Sequence, residues 1–138
     1  MKVSDVMSSV FTIVPPETTL HAAAQMMRDG DFGYIAVGEG DQLQGVLTDR
    51  DLVIRALADG KALDTSIRDV LTKDVVTCRN DDDIKTAADL MRQRQVRRLA
   101  VLDRSERFVG VISVGDIARV TDDNKLTGKI ETAVAQPA

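Results

Sequence analysis

The sequence predicts an α/β fold made of two copies of one β-α-β-β-α unit. Three observations predict it. First, the chain repeats itself at an offset of 64 to 65 residues: Leu20–Val37 laid on Ile84–Val101 gives six identities in 18 positions, among them Ala23/Ala87, Met27/Met91 and Val37/Val101. Self-similarity at a fixed period marks a repeated structural unit. Second, both copies place apolar residues at helical spacing, Leu20, Ala23, Ala24 and Met27 in one, Ile84, Ala87, Ala88 and Met91 in the other. Third, each such stretch is followed by two apolar runs joined by a few polar residues, "FGYIAV" with "LQGVL", then "VRRLAVL" with "RFVGVI", as in a β-hairpin.

The elements follow in order. A lead-in, Val3–Met7, matches Ile67–Leu71 at an offset of 64. A short apolar strand is expected at Val10–Val14 and again at Val75–Cys78. Turn residues come next, Pro15-Pro16 in one copy and Asn80-Asp81-Asp82 in the other. The first helix is expected to end at Gly30, glycine being the usual residue for the left-handed position past a helix. Its second copy lacks that glycine and runs on to Arg94. Gly38–Gln42 and Asp103–Arg107 join the hairpins, and closing helices are expected at Asp49–Ala58 and from Gly115 to about Asp122.

This divides the chain into repeats at 1–61 and 62–123 and a tail at 124–138. The tail matches nothing in either copy and is expected to fray or to depend on a partner. A unit of about 60 residues is marginal alone. Two copies covering each other's sheets give the expected architecture, two packed three-stranded sheets with helices outside, related by a pseudo-two-fold axis.

Composition narrows the function. The 138 residues carry a net charge of −4, one histidine (His21), one cysteine (Cys78), no tryptophan and four other aromatics. A Cys/His zinc site needs about four ligands, and a disulfide needs two cysteines. A nucleophilic catalytic group would have to use His21, which lies off the apolar stripe of its helix and reads as an exposed residue. Single-strand nucleic acid platforms need more aromatics, and the acidic balance disfavours binding to phosphate backbones. No apolar run is long enough to span a membrane, and the N-terminus lacks the apolar centre of a secretory signal. The expectation is a cytoplasmic protein that contacts neither nucleic acid nor membrane.

Two turns carry chemistry. Thr48-Asp49-Arg50-Asp51 and Ser113-Val114-Gly115-Asp116 each follow a Gly-Val-Leu/Ile strand and open a helix. Ser/Thr-x-x-Asp reads structurally as a capping box, with hydroxyl and carboxylate satisfying each other's backbone amides. It also reads as a ligand turn. A carboxylate is acceptor-only when ionised and can take two hydrogen bonds from a ribose diol. The arginines are the other unusual feature. Arg50 lies inside the first turn, and Arg97-Arg98 begin a strand where the other copy has Gly33-Tyr34. They reach out to solvent or to a surface carboxylate, or they hold an anion, since guanidinium forks suit phosphate oxygens.

The whole pattern resembles the CBS (cystathionine-β-synthase) domain, found as a tandem pair called a Bateman module. "SDVM" before the first strand, "VRRLAVLD" on the second hairpin, and "GVLTDRDL" and "GVISVGDI" entering the closing helices carry the resemblance, in order and over about Val3–Asp122. It looks like a stand-alone, bacterial-type pair, with no catalytic or transport domain attached. The resemblance implies a non-catalytic sensor or regulator that requires no cofactor. Its ligands would be adenosine compounds, AMP, ADP, ATP, S-adenosylmethionine or NAD-type dinucleotides, bound in clefts between the repeats.

Carried over residue by residue, the resemblance gives Asp51 and Asp116 the ribose, and Thr48 and Ser113 the ribose or phosphate. Arg97, Arg98 and Arg50 would serve the phosphate of the ligand held at Asp51. The Asp116 site would have Gly33 and Tyr34 opposite it, and so be weaker or suited to a less charged ligand. The base would lie near Val10–Val14 and Val75–Arg79, with Val14 and Cys78 as candidate contacts. Core packing is the simpler reading of those two. The resemblance also implies a homodimer and an unidentified protein effector. The alternative is a protein–protein adaptor whose clefts are vestigial or empty.

Overall fold

The computed structural model describes residues 1–121, so the expectation for the tail at 124–138 lies outside the described residues. The chain divides into two compact units. One contains Phe11–Val75; the other contains Met1–Val10 and the described residues from Val76 onward.

In the unit of Phe11–Val75, strand β1 (Ile13–Val14) leads to helix α1 (Leu20–Gly30), then β2 (Tyr34–Glu39), β3 (Gln42–Thr48) and α2 (Asp49–Asp51). Helix α2 continues as a π-helical segment, Leu52–Leu57. The sheet order is β1-β2-β3, with β1 parallel and β3 antiparallel to β2. The other unit repeats this with β4 (Thr77–Arg79), α3 (Ile84–Arg94), β5 (Arg98–Leu102), β6 (Phe108–Ser113) and α4 (Val114–Val120), in the order β4-β5-β6. The α/β fold with tandem β-α-β-β-α repeats is therefore present. Even the registers correspond: Val14 pairs with Val37 and Cys78 with Val101, each pair one repeat from the other.

The helices form where their sequences place apolar residues on one face. Leu20, Ala23 and Met27 of α1 are buried, as are Ile84, Ala87, Ala88 and Met91 of α3. Thr19 and Asp83 cap their N-termini by accepting from Ala22 and Lys85 amides. His21 is exposed, as its position off the stripe requires.

Several boundaries differ from the sequence expectation. The first strand begins at Ile13 rather than Val10, and the equivalent strand covers Thr77–Arg79 rather than Val75–Cys78. Val10–Phe11 and Val75–Val76 are where the chain passes from one unit to the other, and Val10 is 91% exposed. The left-handed residue ending α1 is Asp31, not Gly30, and its equivalent in α3 is Gln95, both at φ 54°. Asp tolerates that region through its short polar side chain. Helix α4 begins one residue early, at Val114, and is described to Val120.

The lead-ins join the opposite cores from those their order in the chain suggests. Val3, with no exposed surface, packs with Cys78, Ile84, Met91, Leu99 and Ile117, flanked by Val6 and Met7. Ile67, Val70 and Leu71 pack with Val14, Leu20, Ile35 and Leu47. Each lead-in ends by adding one antiparallel bridge to a sheet edge, Ser8 to Val111 of β6 and Thr72 to Val46 of β3. This closes part of an otherwise unpaired edge. Gly45 and Gly110 make the approach possible. A Cβ on Gly45 would sit 2.7 Å from the Thr72 carbonyl oxygen, and one on Gly110 2.7 Å from that of Ser8. The shared Gly-Val-Leu/Ile motif therefore has a packing cause.

Cys78 is buried in its core, and burial, reinforced by the Asp82 carboxylate, pushes its thiol up to about 12 from an ordinary 9.0. The unfolded chain loses that proton at lower pH, so Cys78 contributes stability fully below about pH 9 and loses it as pH climbs through 12. Denaturant unfolding from pH 8 to 11 is expected to show a fall in stability that is shallower in Cys78→Ala. Parallel curves would refute it.

Candidate functional site

Both turns fold as reciprocal capping boxes. Thr48 Oγ1 accepts from the Asp51 amide at 3.1 Å, and Asp51 Oδ2 accepts from the Thr48 amide at 3.0 Å. Ser113 Oγ accepts from the Asp116 amide at 3.1 Å, and Asp116 Oδ2 accepts from the Ser113 amide at 2.9 Å. Asp51 is 6% exposed and Asp116 8% exposed, the two buried polar residues among those described. The pairing meets the requirement that a buried carboxylate be hydrogen-bonded.

The carboxylates have further partners that the sequence did not reveal. Thr72 Oγ1 lies 3.2 Å from both oxygens of Asp51 and donates to the carboxylate. Arg55 Nε stands 3.7 Å from Asp51 Oδ1, while its Nη1 donates to the Leu71 carbonyl at 3.3 Å. In the other unit Arg119 Nη2 donates to Asp116 Oδ1. The one sequence signal at Thr72 is its match to Ser8 at the repeat offset of 64, and that match does not point to Asp51. Ser8 takes a different partner, donating to the Val10 carbonyl. Arg55 and Arg119 carry no such signal, because they do not align.

The other candidates fall into two groups. Tyr34 and Arg98 open their strands and pair in register with Thr48 and Ser113, so each lies across from a capping hydroxyl in its own unit. Arg97 precedes β5, and its carbonyl accepts from the Val114 amide. Arg50, Arg97 and Arg98 are all exposed. Gly33, which stands where the other repeat has Arg97, has a steric reason to be glycine: a Cβ there would lie 2.7 Å from an Asp49 carboxylate oxygen. Val14 and Cys78 lie within the two cores. Among the described residues, no group of three or more His, Cys, Asp or Glu side chains could hold a metal ion. No described helix is long and apolar enough to cross a membrane.

Two repeats, each ending in a capped turn with a buried carboxylate at the start of its closing helix, define a tandem-repeat module. The family model for the CBS domain matches residues 3–57 and again 67–123. The chain belongs to the CBS-domain family. It is 32% identical over 133 residues to the CBS domain-containing protein YhcV of Bacillus subtilis, covering 96% of this chain and 94% of that protein.

It is also similar to a solved structure of Hypoxic Response Protein I with two coordinated zinc ions, at 35% identity and a TM-score of 0.79, covering 88% of this chain and 99% of that one. The CBS domain pair of protein MJ0100, solved with 5-methylthioadenosine and S-adenosylmethionine, shares the fold at 23% identity and a TM-score of 0.76, covering 87% and 94%. CBSX2, solved with AMP, does so at 23% and 0.75, covering 86% and 93%.

Proposed function

We propose that the protein is a non-catalytic sensor that binds an adenosine-containing ligand, AMP, ADP, ATP, S-adenosylmethionine or an NAD-type dinucleotide, and signals its level. The observation that carries the reading is the pair of buried, acceptor-only carboxylates, Asp51 and Asp116, each fixed by the Thr48 or Ser113 turn. A single ionised carboxylate held in a fixed position can accept both hydrogen bonds of a ribose diol, so each turn offers one such acceptor. The adenosine ligands in two solved CBS pairs of the same fold support this reading.

In this reading Thr48 and Ser113 contact ribose or phosphate, and Arg50, Arg97 and Arg98 supply phosphate contacts. Val14, Tyr34 and Cys78 are the candidate contacts toward the rest of the ligand. The protein works in the cytoplasm as a homodimer and acts on an unidentified protein effector. Val53, Ile54 and Leu57, exposed apolar residues of the π-helical segment, support association with a second copy.

The alternative, an adaptor with empty clefts, is favoured by Gly33, whose space is taken by Asp49 in the position where the other repeat carries an arginine. A ligand survey separates the two. Calorimetric titration with AMP, ATP, S-adenosylmethionine and NADH is expected to show submillimolar binding of at least one of them. Mass spectrometry of compounds released on denaturing the purified protein should find the same adenosine compound. No binding by any of the four below millimolar would overturn the sensor reading in favour of the adaptor.

A further inference from the structure

The two turn carboxylates each meet a guanidinium from their own closing helix, but from different sequence offsets. Arg55 follows Asp51 by four residues, and Arg119 follows Asp116 by three. In the repeat alignment Arg119 matches Ile54, not Arg55. Helix α2 absorbs the extra residue: it passes into the π-helical segment Leu52–Leu57, whereas α4 is a plain α-helix. An i→i+5 turn holds one residue more than an i→i+4 turn, and such turns are frequent at functional sites. An arginine beside each carboxylate thus occurs in both repeats without being inherited from their alignment.

Neither arginine is buried structural glue. The Arg119 side chain is 71% exposed and that of Arg55 53% exposed, while the carboxylates they meet are nearly covered. An exposed ion pair contributes little to stability, but it occupies acceptor sites that a ribose diol would use. Arg119 covers Asp116 Oδ1 directly. Arg55 stands off at 3.7 Å, tethered to the Leu71 carbonyl.

We propose that Arg119, and to a smaller extent Arg55, are specificity-determining residues that hold the turn carboxylates against uncharged nucleosides. The inference rests on the proposed adenosine-binding role of those carboxylates. A ribose diol reaches Asp116 only after the guanidinium has swung off Oδ1. A ligand carrying phosphate gives the displaced cation a new anionic partner; adenosine gives it none. The arginine therefore sets a preference for nucleotide over nucleoside through competition for one oxygen.

The test has an arm in the free protein and an arm with ligand. In the full-length protein without ligand, the Arg119 Nε–Hε resonance is expected to move in Asp116→Asn, and that of Arg55 in Asp51→Asn by less. By calorimetry, Arg119→Ala is expected to bind adenosine about threefold or more tighter than wild type, and to lose part of the preference for AMP. Arg119→Lys should stay close to wild type, and Arg55→Ala should gain less than Arg119→Ala. An Arg119 resonance that Asp116→Asn leaves unmoved would overturn the inference whatever binds. So would adenosine and AMP affinities in Arg119→Ala equal to those of wild type. If the resonance moves and no form of the protein binds adenosine or AMP, the proposed function itself has failed, and the competing role fails with it.

Discussion

Asp51→Ala is expected to weaken AMP binding about tenfold or more, and Asp116→Ala to weaken it by less. Hydrogen bonds to a charged group contribute roughly 1.5–3 kcal/mol each, and about 1.4 kcal/mol is a factor of ten in affinity. A ribose diol forms two such bonds to one carboxylate. Asp51 is the better prepared of the two. Its oxygens are fixed by the Thr48 amide and by Thr72 from a separate segment, whereas the partners of Asp116 among the described residues are its own turn and the exposed head of Arg119. Affinity rises with such preorganisation. Asp51→Ala also removes a cap partner and leaves the Thr48 amide without its acceptor, a change of about 1 kcal/mol in stability. Asp51→Asn keeps an oxygen for that amide while losing the charge. It should fold nearly as well as wild type and still bind AMP poorly. Equal losses from Asp51→Ala and Asp116→Ala would contradict the asymmetry between the two turns.

Deleting Met1–Met7 is expected to destabilise the unit that holds the second repeat, not the first. The segment places Val3 in the core with Cys78, Met91 and Leu99, with Val6 and Met7 packed beside it. Val3 also donates its amide to the Asp82 carbonyl at 2.8 Å, and Ser4 donates to that of Asn80 at 2.9 Å. Fully burying one valine contributes about 2 kcal/mol, so the deletion should cost about 3 kcal/mol or more. Small domains are stable by only about 5–15 kcal/mol. Hydrogen exchange should show protection falling first in α3 and β4–β6, some 70 to 100 residues along the chain from the deletion. Loss confined to α1 and β1–β3 would contradict the account. Val3→Asp, which buries a charge at the same point, should reproduce the pattern without shortening the chain.

The repeat made most of the topology legible. An offset of 64 to 65 aligns helix with helix and hairpin with hairpin, and the sheet registers obey it. What stayed hidden depends on contacts far apart in the chain. Val10 and Phe11 are apolar, but apolarity does not say whether a partner strand lies alongside, and the chain there is passing between units. The two lead-ins match each other in sequence, yet each packs in the core of the other repeat, because periodicity reports which face is apolar and not what covers it. Gly33 reads as a missing arginine, and the structure adds that Asp49 takes the space.

Within the turns, Thr48, Asp51, Ser113 and Asp116 were legible because three-residue capping spacing is local. Thr72, Arg55 and Arg119 were not. Thr72 reaches Asp51 from 21 residues away, and the two arginines are out of step by one residue, which the π-helical segment absorbs so that both meet their carboxylates.

In the proposed function, Asp51 and Asp116 are the groups by which this protein holds an adenosine ligand. Calorimetric titration of AMP into the full-length protein and into the Asp51→Asn/Asp116→Asn double variant measures that role. The wild type is expected to bind with submillimolar affinity, and the double variant, folded by circular dichroism, to give no binding heat. A folded double variant that binds AMP as tightly as wild type would contradict it.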